Sequence, residues 1–377
     1  MATSGKMGKM GKMGKMGKMG KMGKMGKMGK MGGDDGPDHA GSPSSTLLND
    51  ALNTTRDGTL GYWDGTPSFD PAFPFSDTPD DILYLEADIR ARLLEYALMS
   101  NVTVTGTSTA KKSDGSVTWG VATLNGNGSP IVTINQPKPS HFKTQLAWLR
   151  TYADLRDDRM AEISIQLEDG ISFFGALAHM DNQRRARTAD LLDVVERLAV
   201  FAEMQVKHMC RTPRPIDFAI EVQPMIQTPD HSSFPSGHSC ESFAVATVLH
   251  RLMTGESAKD GVTKQAHPFR VAERMAANRT VAGVHFPSDS AAGAVLGCAI
   301  GEYVHALAQG KTFKSPLPGF AAGSGKGDFG DADDFSLDWL AGLVAEPKLK
   351  KDGSADNTIL ATAWKLAEDE RRSTATR

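Results

Sequence analysis

Two basic side chains of different shape stand near the end of a long helical pattern. Lys207 is followed seven residues later by Arg214, which has Pro213 before it and Pro215 after it. The prolines end the helix and hold the residue between them in extended chain. Lysine brings a compact charge, whereas arginine brings a planar fork that can hold two oxygens of one group. The pair therefore favours a site for an oxyanion.

A second segment, Pro235-Ser236-Gly237-His238, stands where a loop enters a predicted helix. The first backbone N–H groups of a helix have no partner inside it and can bind an anion. A glycine there lets the anion approach the backbone closely. Ser236 adds a hydroxyl donor, and His238 is placed to give or take a proton at the same anion.

The third segment is Asn278-Arg279, then His285 and Asp289. Because His285 and Asp289 are four residues apart, they share one face if residues 285–289 are already helical. A carboxylate there can hold one ring nitrogen and leave the other as a nucleophile or metal ligand. Arg279 adds a third cation. The three segments together predict a basic, N–H-lined pocket with two histidines, suited to a tetrahedral oxyanion that becomes five-coordinate.

In order and internal spacing, these segments resemble the signature of the type 2 phosphatidic acid phosphatase / vanadium-dependent haloperoxidase superfamily. That signature is Lys-x6-Arg-Pro, then Pro-Ser-Gly-His, then Ser-Arg-x5-His-x3-Asp. The chain departs from it at Asn278, where the family usually has serine. Both side chains form hydrogen bonds, so we expect a local change around Asn278 rather than a lost site.

The resemblance implies a role for each matching residue. His238 would be the acid/base, and Asp289 would orient His285. His285 would be the phosphorylated nucleophile of a phosphatase or the axial ligand of vanadate in a haloperoxidase. Lys207 would also polarise a peroxide bound to that vanadate. The oxygens of the anion would be bound by Lys207, Arg214, Arg279, the Ser236 hydroxyl and the Gly237 backbone N–H.

Three functions remain open at this point. The first is a vanadate-dependent haloperoxidase that oxidises bromide or iodide with hydrogen peroxide, as in soluble bacterial members of the superfamily. His231 favours it, because bromoperoxidases carry a histidine seven residues before the one that matches His238; the alternative is an ordinary loop histidine. The second is a soluble phosphomonoesterase of the acid phosphatase type, with a phosphohistidine intermediate and no cofactor. The third is a non-catalytic anion-binding protein with a cationic adhesion tail.

The elements that must position these residues are mostly helices. Periodicity predicts a mainly α protein, which the resemblance makes a helical bundle of the haloperoxidase / acid phosphatase type, with a small β hairpin or meander inserted at about 101–135. Ile82, Leu85, Ile89, Leu93 and Tyr96 predict one apolar helix face before that insertion. The other predicted helices are 140–157, 159–180, 186–211, 237–253, 264–280, 287–308, 336–345 and 355–371.

Composition and charge indicate how the chain is divided into a tail, a folded domain and a C-terminal part. Residues 5–31 are nine copies of Gly-Lys-Met, and the chain beyond residue 33 has 33 basic against 45 acidic residues. We expect a disordered tail and linker over 1–75, a helical domain over 76–309, and a Gly-rich linker with C-terminal helices over 310–377. The tail is suited to weak attachment to anionic surfaces. The resemblance to the superfamily also suggests that the protein is a homodimer.

The sequence also indicates where the protein resides. No secretory signal is recognised, and the longest uncharged apolar stretch near the C-terminal half, residues 290–301, is only 12 residues long. A bilayer-spanning helix needs about 20. We therefore expect no transmembrane segment and a cytoplasmic or otherwise soluble protein.

Overall fold

The computed structural model describes residues 46–69, 82–180, 184–351 and 358–375. The chain divides into two compact units, Met1–Asp77 and Thr78–Arg377. The first unit contributes one described helix, α1 (Thr46–Leu60). The Gly-Lys-Met repeats lie outside the described residues, so the disordered tail and the proposed domain limits stay predictions.

The second unit is mainly α, as predicted. Its principal helices begin and end close to the limits set by periodicity and proline: α2 (Ala87–Met99), α3 (Pro139–Tyr152), α4 (Arg156–Ile165), α5 (Ile171–Ala178), α6 (Ala186–Cys210), α7 (Pro215–Phe218), α8 (Gly237–Thr254), α9 (Ala258–Thr263), α10 (His267–Val281), α11 (Pro287–Ala308), α12 (Leu337–Leu343) and α13 (Thr358–Ala375).

Small residues bring α8 and α11 into close contact at the centre of this unit. A Cβ added at Gly293 would lie 2.5 Å from the Ser236 carbonyl oxygen, and one at Gly301 would lie 2.5 Å from the Thr247 Cβ. Both helices are buried along most of their length, and α6 and α10 pack on α8. The tight packing fixes the N-termini of α8 and α11 side by side, which is where two of the three sequence segments lie.

The predicted β insertion is a three-stranded antiparallel meander in the order β1 (Val102–Thr107), β4 (Val121–Gly126), β5 (Ser129–Asn135). Alternate residues of β4 and β5 are buried against the helices. The minor strands pair separately, β2 (Ala110–Lys111) with β3 (Val117–Thr118) and β6 (Lys311–Phe313) with β7 (Leu349–Lys351).

Two sequence predictions about the helices are wrong. The predicted helix 159–180 is broken into α4 and α5 by a turn at residues 166–170. The predicted apolar face of α2 is its exposed one, since Tyr96 is 75% exposed whereas Arg90 is buried. Arg90 pairs with Asp190 of α6 at 2.7 Å, and the face that packs also carries the buried Ala91, Leu94 and Leu98.

The expectation of no helix long enough to cross a bilayer also needs correction. Within the described part of the chain, α11 is the one helix long and apolar enough for it. Glu302 does not interrupt the helix, because its carboxylate is buried and accepts a 2.6 Å hydrogen bond from Arg251. However, 94% of the most apolar stretch of α11 is buried inside the fold, which is also how the core helix of a bundle behaves.

Candidate active site

His285 and Asp289 meet at the N-terminus of α11. Helix α11 starts at Pro287, so His285 precedes it and the pair does not share a helix face as the spacing predicted. Instead, Asp289 Oδ2 folds back to accept the Phe286 backbone N–H at 3.0 Å and the His285 Nδ1 proton at 3.3 Å. Ser233 Oγ donates to the same oxygen at 2.5 Å. With Nδ1 held, Nε2 is the nitrogen left for chemistry.

The surroundings keep the His285 ring neutral. It is only 4% exposed, and burial, together with the charges of Arg214 and Lys207, holds the pKa of His285 well below its ordinary value. Burial also raises the pKa of Asp289, against the hydrogen bond from Ser233. A neutral imidazole with an unprotonated Nε2 is what a nucleophile or an axial metal ligand requires.

Arg214 contacts two of the predicted histidines, His285 and His231. Its NH1 donates to the Val284 carbonyl at 2.9 Å and to His285 Nε2 at 3.1 Å, while its NH2 lies 3.2 Å from His231 Nδ1. Burial lowers the pKa of Arg214 to about 10, so the guanidinium stays charged at neutral pH. The guanidinium therefore presents a permanent cation to any group bound at Nε2.

Lys207 is buried in the last turn of α6, with 1% of its surface exposed. Its ammonium donates to the carbonyl oxygens of Ser232, at 3.3 Å, and Pro235. The loop that leads into α8 is thereby held against α6. These contacts confirm that the lysine and the Pro-Ser-Gly-His segment share one place.

The N-terminus of α8 contributes unused donors. Ser236 is the residue before the helix, and its backbone N–H donates to the Asp289 carbonyl at 2.8 Å, which ties α8 to α11. Two polar atoms of the predicted oxyanion set, Ser236 Oγ and Arg279 Nε, are fully buried with no protein hydrogen-bond partner. Buried donors rarely stay without a partner in protein, water or ligand, so these two are available to a bound anion.

His238 and Arg279 form the other side of the site. Arg279 is fully buried, and burial lowers its pKa to about 10, so it too stays charged. His238 Nε2 lies 3.1 Å from the Gln166 carbonyl oxygen and 3.3 Å from Arg279 NH1. A protonated Nε2 donates to the carbonyl, whereas a bare Nε2 accepts from the arginine. The ring is thus placed to exchange a proton next to a cation.

Asn278 explains how this chain accommodates the departure from the family pattern. Its amide nitrogen donates to Glu162 Oε2 at 3.0 Å and to Gln166 Oε1 at 3.1 Å. Arg279 NH2 donates to the same Gln166 oxygen at 2.9 Å. The longer asparagine therefore reaches α4 and the turn after it, and does not point at the anion.

Three positioning residues were not predicted from the sequence. Ser233 supports Asp289, and Gln166 anchors both Arg279 and Asn278. Gln145 accepts the Ser288 backbone N–H at 3.0 Å and so holds the start of α11. The Ser-Ser pair before Phe234 was the one hint available, since hydroxyls cluster beside the Pro-Ser-Gly-His segment.

A cavity of about 720 Å³ opens next to the site on the Lys207 and Arg214 side. Arg211 adds positive charge to its wall, and Asp217 and Asp230 add negative charge; it is also lined by His208 and His231. His231 thus stands at the edge between the cavity and the buried cluster, and the effect on halide choice that the resemblance implies for it stays a prediction.

The structure brings all of the predicted oxyanion, acid/base and nucleophile residues into one buried cluster of cations, N–H donors and imidazoles. Their donor set fits a tetrahedral oxyanion, and the orphaned Ser236 hydroxyl and Arg279 Nε are the observations that test this fit. Phosphate and vanadate have the same shape and charge type, so the fit holds for both. In-line transfer at His285 Nε2, or coordination there, is what the arrangement can do chemically.

Comparison with known proteins agrees with this geometry. Residues 194–313 match the PAP2 superfamily model. The chain is also 33% identical over 106 residues to the decaprenylphosphoryl-5-phosphoribose phosphatase of Mycobacterium tuberculosis, in both the CDC 1551 / Oshkosh and the ATCC 25618 / H37Rv strains. The match covers 28% of this chain and 53% of the relative, so the chain spans about half the length of the curated relatives it matches. Residues 194–313 are therefore a PAP2 superfamily domain, and every sequence-predicted site residue lies within it.

Proposed function

We propose that this protein is a phosphohydrolase that cleaves phosphomonoesters through a phosphohistidine at His285. The observation that carries the proposal is the pairing of a neutral, Asp289-oriented His285 with orphaned buried donors at Ser236 and Arg279. The PAP2 match and the similarity to a phosphatase support hydrolysis over halide oxidation. The expectation that put the haloperoxidase first is thus reversed.

The reaction follows from the positions of the two histidines. Arg214, Arg279 and the α8 N-terminus bind the phosphoryl oxygens, and this replaces the contact between Arg214 and His285 Nε2. Nε2 then forms the N–P bond as the P–O bond to the leaving group breaks, and protonated His238 gives its proton to the leaving oxygen. In the second half, His238 takes a proton from water, the water oxygen attacks phosphorus, and the N–P bond breaks to release phosphate.

The groups that bind the phosphoryl oxygens (Arg214, Arg279 and the α8 N-terminus) form an anion cradle. This cradle lowers the barrier by stabilising the charge of the five-coordinate state. Arg214 and Arg279 are fixed by protein contacts before substrate arrives, so little reorganisation is needed at the moment of transfer. The name of the mycobacterial relative directs the first substrate panel toward sugar phosphates, with and without a polyprenyl group.

The deciding experiment is to trap the intermediate. Brief incubation with a ³²P-labelled phosphomonoester and quenching in alkali should leave an acid-labile label on His285, located by peptide mapping. Absence of label together with absence of phosphate release would overturn the proposal.

The haloperoxidase remains a second candidate because of one contact. His231 lies 3.2 Å from Arg214 NH2, beside the cluster that would hold vanadate. Arg214, Arg279, Ser236 and His285 would hold that vanadate, which would activate hydrogen peroxide toward bromide or iodide when bound. Bromination by the vanadate-loaded protein, lost in H285A and accompanied by no phosphate release from the unloaded protein, would reverse the order. The homodimer, the soluble localisation and the attachment of the Lys tail to anionic surfaces stay predictions.

A further inference from the structure

The phosphoryl-transfer steps give no role to Glu203, a buried acidic side chain of the site. Glu203 lies on α6 one turn before Lys207, and only 3% of its surface is exposed. A Cβ added at Gly237 would collide with both of its carboxylate oxygens, the farther one at 2.9 Å. The carboxylate therefore occupies the space beside the first residue of α8, at the rim of the proposed anion cradle. Here the glycine is needed to make room for the carboxylate as well as for an anion.

The charged and titratable groups of the site come from α6, α7, α8, α10 and α11, with Arg279 on α10. Lys207 is on the same helix as Glu203, and Arg214 at the start of α7 has its charge stabilised by Glu203 as well as by Asp289 and Asp217. Helix α8, which packs on α6, contributes His238 and Glu241, and the start of α11 contributes His285 and Asp289. In the protein without substrate, an ionised Glu203 therefore acts as a counter-ion to this group of cations.

A bound phosphate dianion changes the balance. Two like charges in one buried site cannot both be fully ionised without a large penalty, and the usual outcome is that they share a proton. A phosphate ester has its second ionisation near neutral pH, so it can supply or accept that proton. Sulfate has the same shape but carries no proton at neutral pH.

We propose that Glu203 makes the cradle select a protonated oxyanion. The bound substrate and the Glu203 carboxylate together then hold one more proton than a dianion and an ionised carboxylate would. The proton lies between a phosphoryl oxygen and the Glu203 carboxylate and comes from solvent or from the monoanionic ester. Glu203 is thus a specificity-determining residue of the proposed phosphohydrolase, and the inference rests on that proposed function.

The test compares inorganic phosphate with sulfate by isothermal titration calorimetry between pH 5.5 and 8. The wild-type protein should bind phosphate at least about tenfold more tightly than sulfate at pH 6. Part of that affinity should be lost as pH rises, by up to about tenfold per unit for one linked proton. In E203Q the phosphate preference should collapse because sulfate binding tightens, and proton uptake, measured in buffers of different ionisation enthalpy, should fall by about one. Any proton taken up by His238 or Asp289 remains in both proteins and cancels in the difference.

Two further variants keep the test decisive. E196Q removes another buried carboxylate of α6, two turns from Glu203, and should leave both the preference and the proton count unchanged. E203D retains the negative charge and should retain most of the preference for phosphate over sulfate. It can also be measured if E203Q does not fold.

The outcomes separate the two proposals. Equal binding of sulfate and phosphate by the wild-type protein, or an unchanged proton count in E203Q, overturns the role of Glu203 while the labelled His285 intermediate still stands. No phosphate binding and no labelled intermediate in the wild-type protein overturn the proposed function itself.

Discussion

The two sides of the site are built differently. The nucleophile half (Arg214, Ser233, His285, Asp289) is held by contacts among residues 212–289 and, at the start of α11, by Gln145. The acid half (His238, Arg279, Gln166, Asn278) depends on a turn more than 70 residues before His238. The nucleophile half is rigidly fixed by the paired N-termini of α8 and α11. The acid half is completed by a polar segment that lies outside the sequence motifs. The difference teaches that the family signature specifies attack on phosphorus more completely than proton transfer.

The largest expected effect separates the roles of the two histidines. H285N should reduce phosphate release by more than about 10⁵-fold, since no other group can form the covalent intermediate. H238N should lower kcat/KM by about 10²–10⁴-fold with an alkyl phosphate but much less with p-nitrophenyl phosphate, whose leaving group needs no proton. The measurement is kcat/KM with both substrates, because it reports the steps up to departure of the leaving group and not the later attack of water.

Labelling adds a control to this pair. With p-nitrophenyl phosphate, H238N should accumulate phosphoenzyme, because water attack also needs His238, and H285N should accumulate none. Equal labelling of the two variants would show that the halves are not divided between attack and proton transfer.

The next effect concerns the two arginines and pH. R214Q and R279Q should each lower kcat/KM by about 10²–10³-fold, because each removes a fixed donor to the transition state. Only R214Q should also move the acid limb of the kcat/KM profile to higher pH. Arg214 is one of the cations that hold the pKa of His285 low, so its removal lets His285 take a proton at a higher pH and lose its nucleophilic lone pair.

The pH profiles of the wild-type protein and both variants check this. In the wild-type protein the acid limb that belongs to His285 should lie below about 6.5, the ordinary imidazole value. A shift of similar size in R279Q would contradict the separation of the halves, because Arg279 faces His238 instead of His285.

A smaller effect is expected from the residue that anchors the acid half. Q166A keeps the carbonyl that faces His238 and removes the side-chain oxygen that accepts from Arg279 and Asn278. We expect a loss of about tenfold in kcat/KM, the size of one hydrogen bond to a charged group. Q205A, which removes a half-buried glutamine side chain that donates to the Phe201 carbonyl within α6, is the matched control and should change nothing measurable. Full activity in Q166A would contradict this prediction and would show that the remaining contacts of Arg279 hold it well enough.

The sequence predicted the long helices and the nucleophile half for the same physical reason. Helical periodicity and motif spacing are local, and the contact of Ser236 with Asp289 follows once Gly293 and Gly297 let α8 and α11 pack closely. In the acid half, His238 and Arg279 were predicted from their motifs but their anchor Gln166 was not, because a glutamine inside an apparently continuous helix looks like a solvated residue. Its role arises from the break at 166–170 and from a contact made 113 residues away in the chain.

The smallest effect is expected from restoring the residue that the family usually has. N278S removes the amide that bridges Glu162 and Gln166, but Arg274 and Arg279 still donate to those two side chains. Catalysis should therefore stay within about threefold of the wild-type rate, while the free energy of unfolding should fall by about 1 kcal/mol for the lost buried hydrogen bonds. Thermal unfolding and kcat/KM measured on the same preparation distinguish the two. A loss of activity beyond tenfold at unchanged stability would mean that Asn278 acts on the substrate directly, and the acid half would then have to be redrawn around it.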